Sequence, residues 1–329
     1  MPILRRHTFA ALAALAMATT TAAPAFAQAE NYPSKPVRML IGFPPGQATA
    51  TLGRLIGQKL QEAWGQAFVY DNKPGASGTI ATQLATQAPA DGYTLLVSSS
   101  GVMSVNQFLM TKLPYDVTRD FVPVAGLGIV PLVMVTHPQN PAKNVQDLVA
   151  AAKAKPGAIN YASSGIGITN HLVMAMFTST AHIDMTHVPY KGGPPALTDL
   201  MGGQVQVMFE TSVATLPFVK QGRLKALGVS SAERIPAAPD IPTIAEQGYP
   251  GFVGVPWVCL MAPAGTPPAI VQKLNAKINE ILQTPAVKDQ MANLGVLPMV
   301  MTTDQFNTFW RAEIAKWGKA VKDSGASAN

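Results

Sequence analysis

Two stretches of this sequence set glycine beside hydroxyl and amide side chains just ahead of a helical pattern. They are Phe43-Pro44-Pro45-Gly46-Gln47-Ala48-Thr49 and Ser163-Ser164-Gly165-Ile166-Gly167-Ile168-Thr169-Asn170. Each follows a strand-like run, so its free N–H groups and the positive end of the coming helix face one side together. For the first loop the plain alternative is an ordinary strand-to-helix turn. In the second, glycine lets backbone approach a ligand closely, while Thr169 and Asn170 either cap the helix or face an anion. The third glycine of a dinucleotide fingerprint is absent, with Asn170 or His171 near its place, and so is the Gly-Lys-Ser/Thr of a Walker loop. What remains is a generic anion cradle suited to a carboxylate. Ser98-Ser99-Ser100-Gly101 and Glu210-Thr211-Ser212 also end strand-like runs and offer donors or simple turn and cap chemistry.

Catalytic and metal chemistry find little support. There is no G-x-S-x-G elbow and no H-E-x-x-H. The cluster His182-x-Asp184-x-x-His187 would put its two histidines on opposite faces of a strand. No nucleophile–base pair is evident from spacing, so no catalytic residue, metal or cofactor is expected.

The elements that must position these loops alternate. Val37 to Gly42 reads as a strand, Thr49 to Trp64 as a helix, Ala67 to Tyr70 as a strand, Thr79 to Gln87 as a helix and Tyr93 to Ser98 as a strand. The pattern restarts at a strand-like run, Ile129 to Thr136. A helix over Val145 to Lys153, a strand over Ile159 to Ala162 and a helix over Thr169 to about Ser179 follow. Met185 to Val188, Val205 to Phe209 and Leu224 to Val229 read as strands. The Pro-rich stretch Ile235 to Pro256 then leads to the strand Val258 to Ala262 and three amphipathic helices. The last helix, about Thr303 to Lys322, carries Phe306, Phe309, Trp310, Ile314 and Trp317 at helical spacing, a docking face. Alternation with apolar strands predicts an α/β protein with mostly parallel sheets flanked by helices. Two such units predict two lobes, with ligands at the carboxyl ends of the strands.

The bulk numbers agree. Of 329 residues, 48% are hydrophobic and 13% charged, which excludes disorder and coiled coil. Arg5 and Arg6, the apolar run Phe9 to Met17 and the ending Ala25-Phe26-Ala27 read as a secretory signal peptide cut after Ala27. The single cysteine, Cys259, forms no internal disulfide and leaves no lipoprotein anchor. Net charge is +6, yet the cations are scattered without an aromatic-interleaved stripe, so nucleic acid is not expected as a partner.

Several motifs together resemble the Bug family, the solute receptors of tripartite tricarboxylate transporters. They include Tyr32-Pro33-Ser34-Lys35-Pro36, Phe43-Pro44-Pro45-Gly46, Asn72-Lys73-Pro74-Gly75-Ala76 and Ala90-Asp91-Gly92-Tyr93. Asn160-Tyr161-Ala162-Ser163-Ser164-Gly165, His187-Val188-Pro189-Tyr190-Lys191-Gly192 and Ala262-Pro263-Ala264-Gly265-Thr266-Pro267 continue the series in order. The resemblance implies a periplasmic Venus-flytrap receptor with a crossing-strand hinge and no enzymatic activity. Its lobes would be residues 28–128 plus 252–329, and 129–251. A small organic carboxylate, dicarboxylate or aromatic, would bind between them and pass to a membrane permease; the receptor is expected to be a monomer. The implied contacts are Phe43, Pro45, Gly46, Gln47, Ala48, Thr49, Ser100, Gly101, Ser163, Ser164, Gly165, Thr169, Asn170, Tyr190, Glu210, Thr211 and Trp257. Other readings of the same cleft are a ligand sensor for a membrane signalling protein and a secreted hydrolase. The family's second glycine is Gln47 here and its loop acid is Ala50, which disfavours an amine-bearing ligand, since a buried cation would lose its partner. Its Asp-Asn after the strand ending at Phe209 is Glu210-Thr211. Trp257 is expected either to pack or to stack on a ligand ring.

Overall fold

The computed structural model describes residues 31–324 and shows two sheets flanked by helices. In chain order the first sheet takes β1 (Val37–Ile41), β2 (Phe68–Asn72), β3 (Thr94–Ser99) and β4 (Phe121–Ile129). It is completed by β10 (Trp257–Pro263) and β11 (Leu297–Pro298), in the order β11-β4-β10-β3-β1-β2. The second takes β5 (Leu132–Thr136), β6 (Asn160–Ser163), β7 (Thr186–Pro189), β8 (Val207–Thr211) and β9 (Lys225–Val229), in the order β7-β6-β8-β5-β9. The proposed signal peptide lies outside the described residues.

The two-lobed α/β architecture stands, and the sheets prove mixed rather than mostly parallel. β1 pairs in parallel with β2 and β3, and β6 with β7 and β8, whereas the other pairings are antiparallel. The reason is the exchange of chain between sheets. The expected single strand over Ile129 to Thr136 is broken at Val130-Pro131, where β4 leaves the first sheet and β5 enters the second. The return runs from β9 to β10, and Val130 N–H donates to Pro256 O at 2.9 Å where the two connections meet. β4 itself went unread because Pro123, Gly126 and Gly128 look like breakers. Pro123 is tolerated beside a register shift between Leu260 and Met261. The glycines leave room for Met299 and Val296, whose side chains lie 2.9 and 2.7 Å from where a Cβ would stand.

Helix α1 (Ala48–Trp64) buries Leu52, Leu55, Ile56 and Leu60, a 3.6-period stripe, against the first sheet. Gly53 and Gly57 let it lie close, since a Cβ there would meet Val97 at 2.9 Å or Met39 at 2.7 Å. Its end is set by Gly65 in the left-handed region at φ 68, bonded back to Gln61 O. After β2 comes α2 (Thr79–Thr86), and after β3 a π-helical turn (Gly101–Val105) runs into α3 (Asn106–Leu109), followed by α4 (Val117–Asp120). The second sheet carries α5 (Val145–Ala154), α6 (Thr169–Ala181), α7 (Gly193–Met201) and α8 (Ser212–Lys220).

The described residues end with α9 (Pro268–Gln283), α10 (Pro285–Asn293) and α11 (Thr303–Ser324). The aromatic stripe on α11 is a docking face, as its spacing predicts, and it docks on both lobes. Phe306 and Trp310 join the core under the first sheet, while Trp317 and Val321 join the core of the second. Among the described residues no helix is long and apolar enough to cross a membrane.

Candidate functional site

A cavity of about 120 Å³ opens between the two sheets, at the carboxyl ends of their parallel strands. One water needs about 10–15 Å³ by the same measure, so the space suits a molecule of about ten heavy atoms. Its wall is built largely from helix starts. Gln47, Ala48 and Thr49 bring the start of α1, and Ile168, Thr169 and Asn170 that of α6. Gly193 and Pro194 open α7, and Thr211 precedes α8. None of these four helices has a side chain capping its start. The first intrahelical bonds of α1 and α6 run from Thr51 N to Gln47 O and from Leu172 N to Ile168 O, so the amides before them look outward. Four positive helix ends around one cavity favour an anion without any formal cation.

Of the residues singled out from sequence, Phe43, Gly46, Gln47, Ala48, Thr49, Gly101, Ser164, Thr169, Asn170, Glu210, Thr211 and Trp257 line this cavity. Pro45, Ser100, Ser163, Gly165 and Tyr190 do not. Ser100 supports the wall from behind. Its buried Oγ accepts the Trp257 N–H at 3.4 Å and lies 3.5 Å from Thr169 Oγ1 across the lobes. Tyr190 turns away and donates to Asp199 Oδ2 at 2.7 Å. Trp257 is a packing residue that also closes the wall: it is 1% exposed, edge-on to Phe306 and Phe309, and its Nε1 donates to Glu313 at 2.9 Å.

Sequence reasoning missed Ser77, Asn106 and the Gly193-Pro194 start of α7 on the wall. The last had a readable signal, a glycine pair and prolines opening a helix directly after a strand. Ser77 had none, because it sits in the left-handed region at φ 53, held by Asn106 Nδ2 donating to its carbonyl at 3.1 Å.

Three expectations need correction. Ala50 does not face the ligand space; it is fully buried in the first lobe's core, so its identity carries no information about an amine. The structure also supplies a serine–histidine pair that spacing did not reveal, Ser163 Oγ to His187 Nε2 at 2.7 Å. His182 is not on the strand at all; it closes α6 at φ 50, so the opposite-faces argument does not apply. Ser163 is fully buried and off the cavity wall, and no carboxylate holds the other His187 nitrogen among the described residues, so the pair braces a loop rather than attacking a substrate. His171 braces it too, its Nδ1 accepting the Gly167 N–H at 3.0 Å.

The polar centre of the second lobe's wall is Glu210. Its Oε2 accepts from Ser164 Oγ at 2.6 Å and from Asn170 Nδ2 at 3.3 Å, and its Oε1 from the Thr211 N–H at 2.7 Å. Asn170 in turn donates to Ser164 Oγ at 2.9 Å and accepts the Ser164 N–H at 3.3 Å. The side-chain donors of Ser164 and Asn170 are thus committed to Glu210, and the N–H groups of Ser164, Gly165 and Gly167 are bonded within the loop, which leaves the amides at the start of α6 and Thr169 for a ligand. Burial pushes the Glu210 carboxyl above the usual carboxylate range, against the pull of these donors.

The comparison with known proteins decides the family. Residues 52–326 match the model of the tripartite tricarboxylate transporter family receptor, TctC. The chain belongs to that family. It is similar to the protein BugT of Bordetella pertussis, 41% identical over 299 residues that cover 91% of this chain and 92% of the relative. Among solved structures it resembles an R. palustris protein with adipate, at TM-score 0.87 and 34% identity, covering 90% of this chain and 99% of the other. It also resembles MatC from Rhodopseudomonas palustris with bound malate, at TM-score 0.80 and 32% identity, covering 88% and 100%. These receptors are solute-binding proteins, and the periplasmic binding protein BugD shares the fold at TM-score 0.82.

Proposed function

We propose that this chain is an exported, non-enzymatic periplasmic receptor that captures a small organic carboxylate between its lobes. It then hands the ligand to the membrane permease of a tripartite tricarboxylate transporter. The observation that carries the reading is the ring of four helix starts around one cavity with no cationic side chain among the described residues of its wall. Such a wall recognises a carboxylate through amides and hydroxyls. The lobes are residues 28–128 plus 252–329, and 129–251, and the receptor acts as a monomer after loss of residues 1–27. Dicarboxylates and aromatic carboxylates are favoured: the cavity suits about ten heavy atoms, and the similar structures hold adipate and malate. Gln47 reaches across the cleft, its Nε2 lying 3.8 Å from the Cβ position of Gly192. It would close the first lobe over the ligand, and the permease would read the closed form.

A melting screen against mono- and dicarboxylates, aromatic acids and amino acids tests this. A ligand at a hundred times its Kd adds about 2.7 kcal/mol of stability. Stabilisation by at least one carboxylate is expected; a screen in which only neutral or cationic solutes stabilise would refute the reading.

A further inference from the structure

Among the described residues the cavity wall contains one ionisable side chain, and it is an acid. Around the cavity Glu210 stands among amides, hydroxyls and apolar groups, with no Lys, Arg or His among the described residues of the wall. A monocarboxylate entering this space makes a second negative charge beside it, and a dicarboxylate a third. Helix starts soften that repulsion, but those of the second lobe already face Glu210. The carboxyl is bonded to the loop that opens α6 and to Thr211 before α8. A Cβ on Gly193, the first residue of α7, would lie 2.7 Å from Glu210 Oε2, so α7 also starts against this carboxyl.

Among the described residues no cation is bonded to Glu210. The titratable groups on elements packed against β8 are His171 on α6, Tyr161 on β6, Asp199 on α7 and Lys220 on α8, with Tyr190 and Lys191 in the loop before α7; β5 has none. Asp199 is bonded to Tyr190 and His171 to Gly167 N–H, and no charged side chain bonds to Glu210. Two acidic groups confined at close range do not both stay ionised when one can take a proton.

Resting on the reading of this cavity as a carboxylate site, we propose that the protein captures its ligand together with one proton, which Glu210 holds in the loaded state. The proton comes from solvent, and no bond other than O–H forms. Oε1 accepts the Thr211 N–H, and a carboxyl oxygen has a second lone-pair direction on which to carry it. Once protonated, Glu210 changes from a repelling acceptor into a neutral wall group able to donate. Burial, which already favours the neutral form, works in the same direction. The receptor would therefore hold carboxylates more tightly in mildly acidic surroundings than in alkaline ones.

Titration calorimetry with adipate, and with malate as a second dicarboxylate, tests the proposal in paired buffers of different ionisation heat from about pH 6 to about pH 9. The wild-type protein should take up close to one proton per adipate over part of that range, with Kd weakening up to tenfold per pH unit there. Both effects should vanish in Glu210→Gln. Difference infrared spectra of loaded against empty protein should show a protonated-carboxyl C=O band that the Gln variant lacks. The spectra on the wild-type protein stand whether or not the variant folds. Binding of either dicarboxylate with no proton uptake at any pH in the range would overturn the proposal and leave the receptor reading intact. Failure of every carboxylate to bind would remove the receptor reading, and this proposal with it.

Discussion

His171 and His187 lie face to face, their ring centroids 3.9 Å apart and their planes within 9° of parallel. The Tyr161 ring lies near-parallel to both, 4.8 Å from His187 and 6.3 Å from His171. Burial pushes both imidazoles down to about 4, and for His171 the proximity of His187 adds to this. The pair matters because each ring holds the loop Ser163 to Gly167 in shape as a neutral partner.

The pH dependence of stability follows. In the unfolded chain both histidines titrate near 6.5, and in the fold near 4. Between those values the unfolded chain binds more protons. The stabilisation is therefore complete above about pH 6.5 and is lost progressively as pH falls toward 4. Urea midpoints of the ligand-free protein should drop across that window, and less so in His187→Phe, which retains a ring but cannot titrate. A wild-type midpoint that is flat across the window would contradict the assignment.

Glu313 fastens the lobes. It is buried, and it accepts the indole N–H of Trp257 at 2.9 Å and that of Trp317 at 2.8 Å. One indole belongs to the core under the first sheet and the other to the core of the second. Glu313→Ala leaves two buried donors without an acceptor, at about 1–3 kcal/mol each. A loss of about 2–5 kcal/mol in chemical unfolding is expected, with a red shift of tryptophan emission. A cost under about 1 kcal/mol would show that the bonds do not hold the lobes.

Gly167 is a second inter-lobe contact. It has φ 73, and a Cβ there would fall 2.1 Å from Leu109 Cδ1. Gly167→Ala should weaken carboxylate binding at least tenfold, about 1.4 kcal/mol, by wedging the lobes apart. Adding Leu109→Ala removes the clash, though not the backbone strain, and should restore part of the affinity. Equal affinity in the single and double variants would place the whole effect in the strained backbone.

Ala50→Asp shows how resemblance and burial diverge. An acid in the first turn of a helix gains about 0.3–1 kcal/mol from the dipole. Ala50, however, is fully buried in an apolar core, where an unpaired carboxylate costs about 3–5 kcal/mol. Destabilisation is the expected result, read as a lower melting temperature before any ligand is added. An unchanged melting temperature would mean that the side chain escapes the core.

Much of this was legible in the residues because the governing patterns are local. The strand-to-helix loops at Phe43–Thr49 and Ser163–Asn170, which line one cavity, could be found because a strand, a glycine-bearing turn and a helix start are recognisable from a few neighbouring residues. The α11 stripe was visible for the same reason. What stayed hidden depends on distant partners. Pro123, Gly126 and Gly128 read as breakers until Met299 and Val296 supply the bulk they lack. Neither the Ser163–His187 bond nor the commitment of Ser164 and Asn170 to Glu210 can be seen from spacing. The last also governs which position makes a clean test. Replacing Ser164 would deprive a buried carboxyl of its shortest bond, so lost binding there would be confounded with lost stability.

Thr169 is the better probe, since it lines the cavity at the start of α6 and has only a 3.5 Å approach to Ser100 Oγ to lose. The most direct measurement is calorimetric titration of adipate into wild-type protein and Thr169→Leu, with ligand-free melting recorded for both. One site per chain in the wild type, at least a tenfold loss of affinity in the variant and closely matched melting are the predicted results. Carboxylate binding that survives Thr169→Leu unchanged would place the ligand elsewhere and contradict the inter-lobe site.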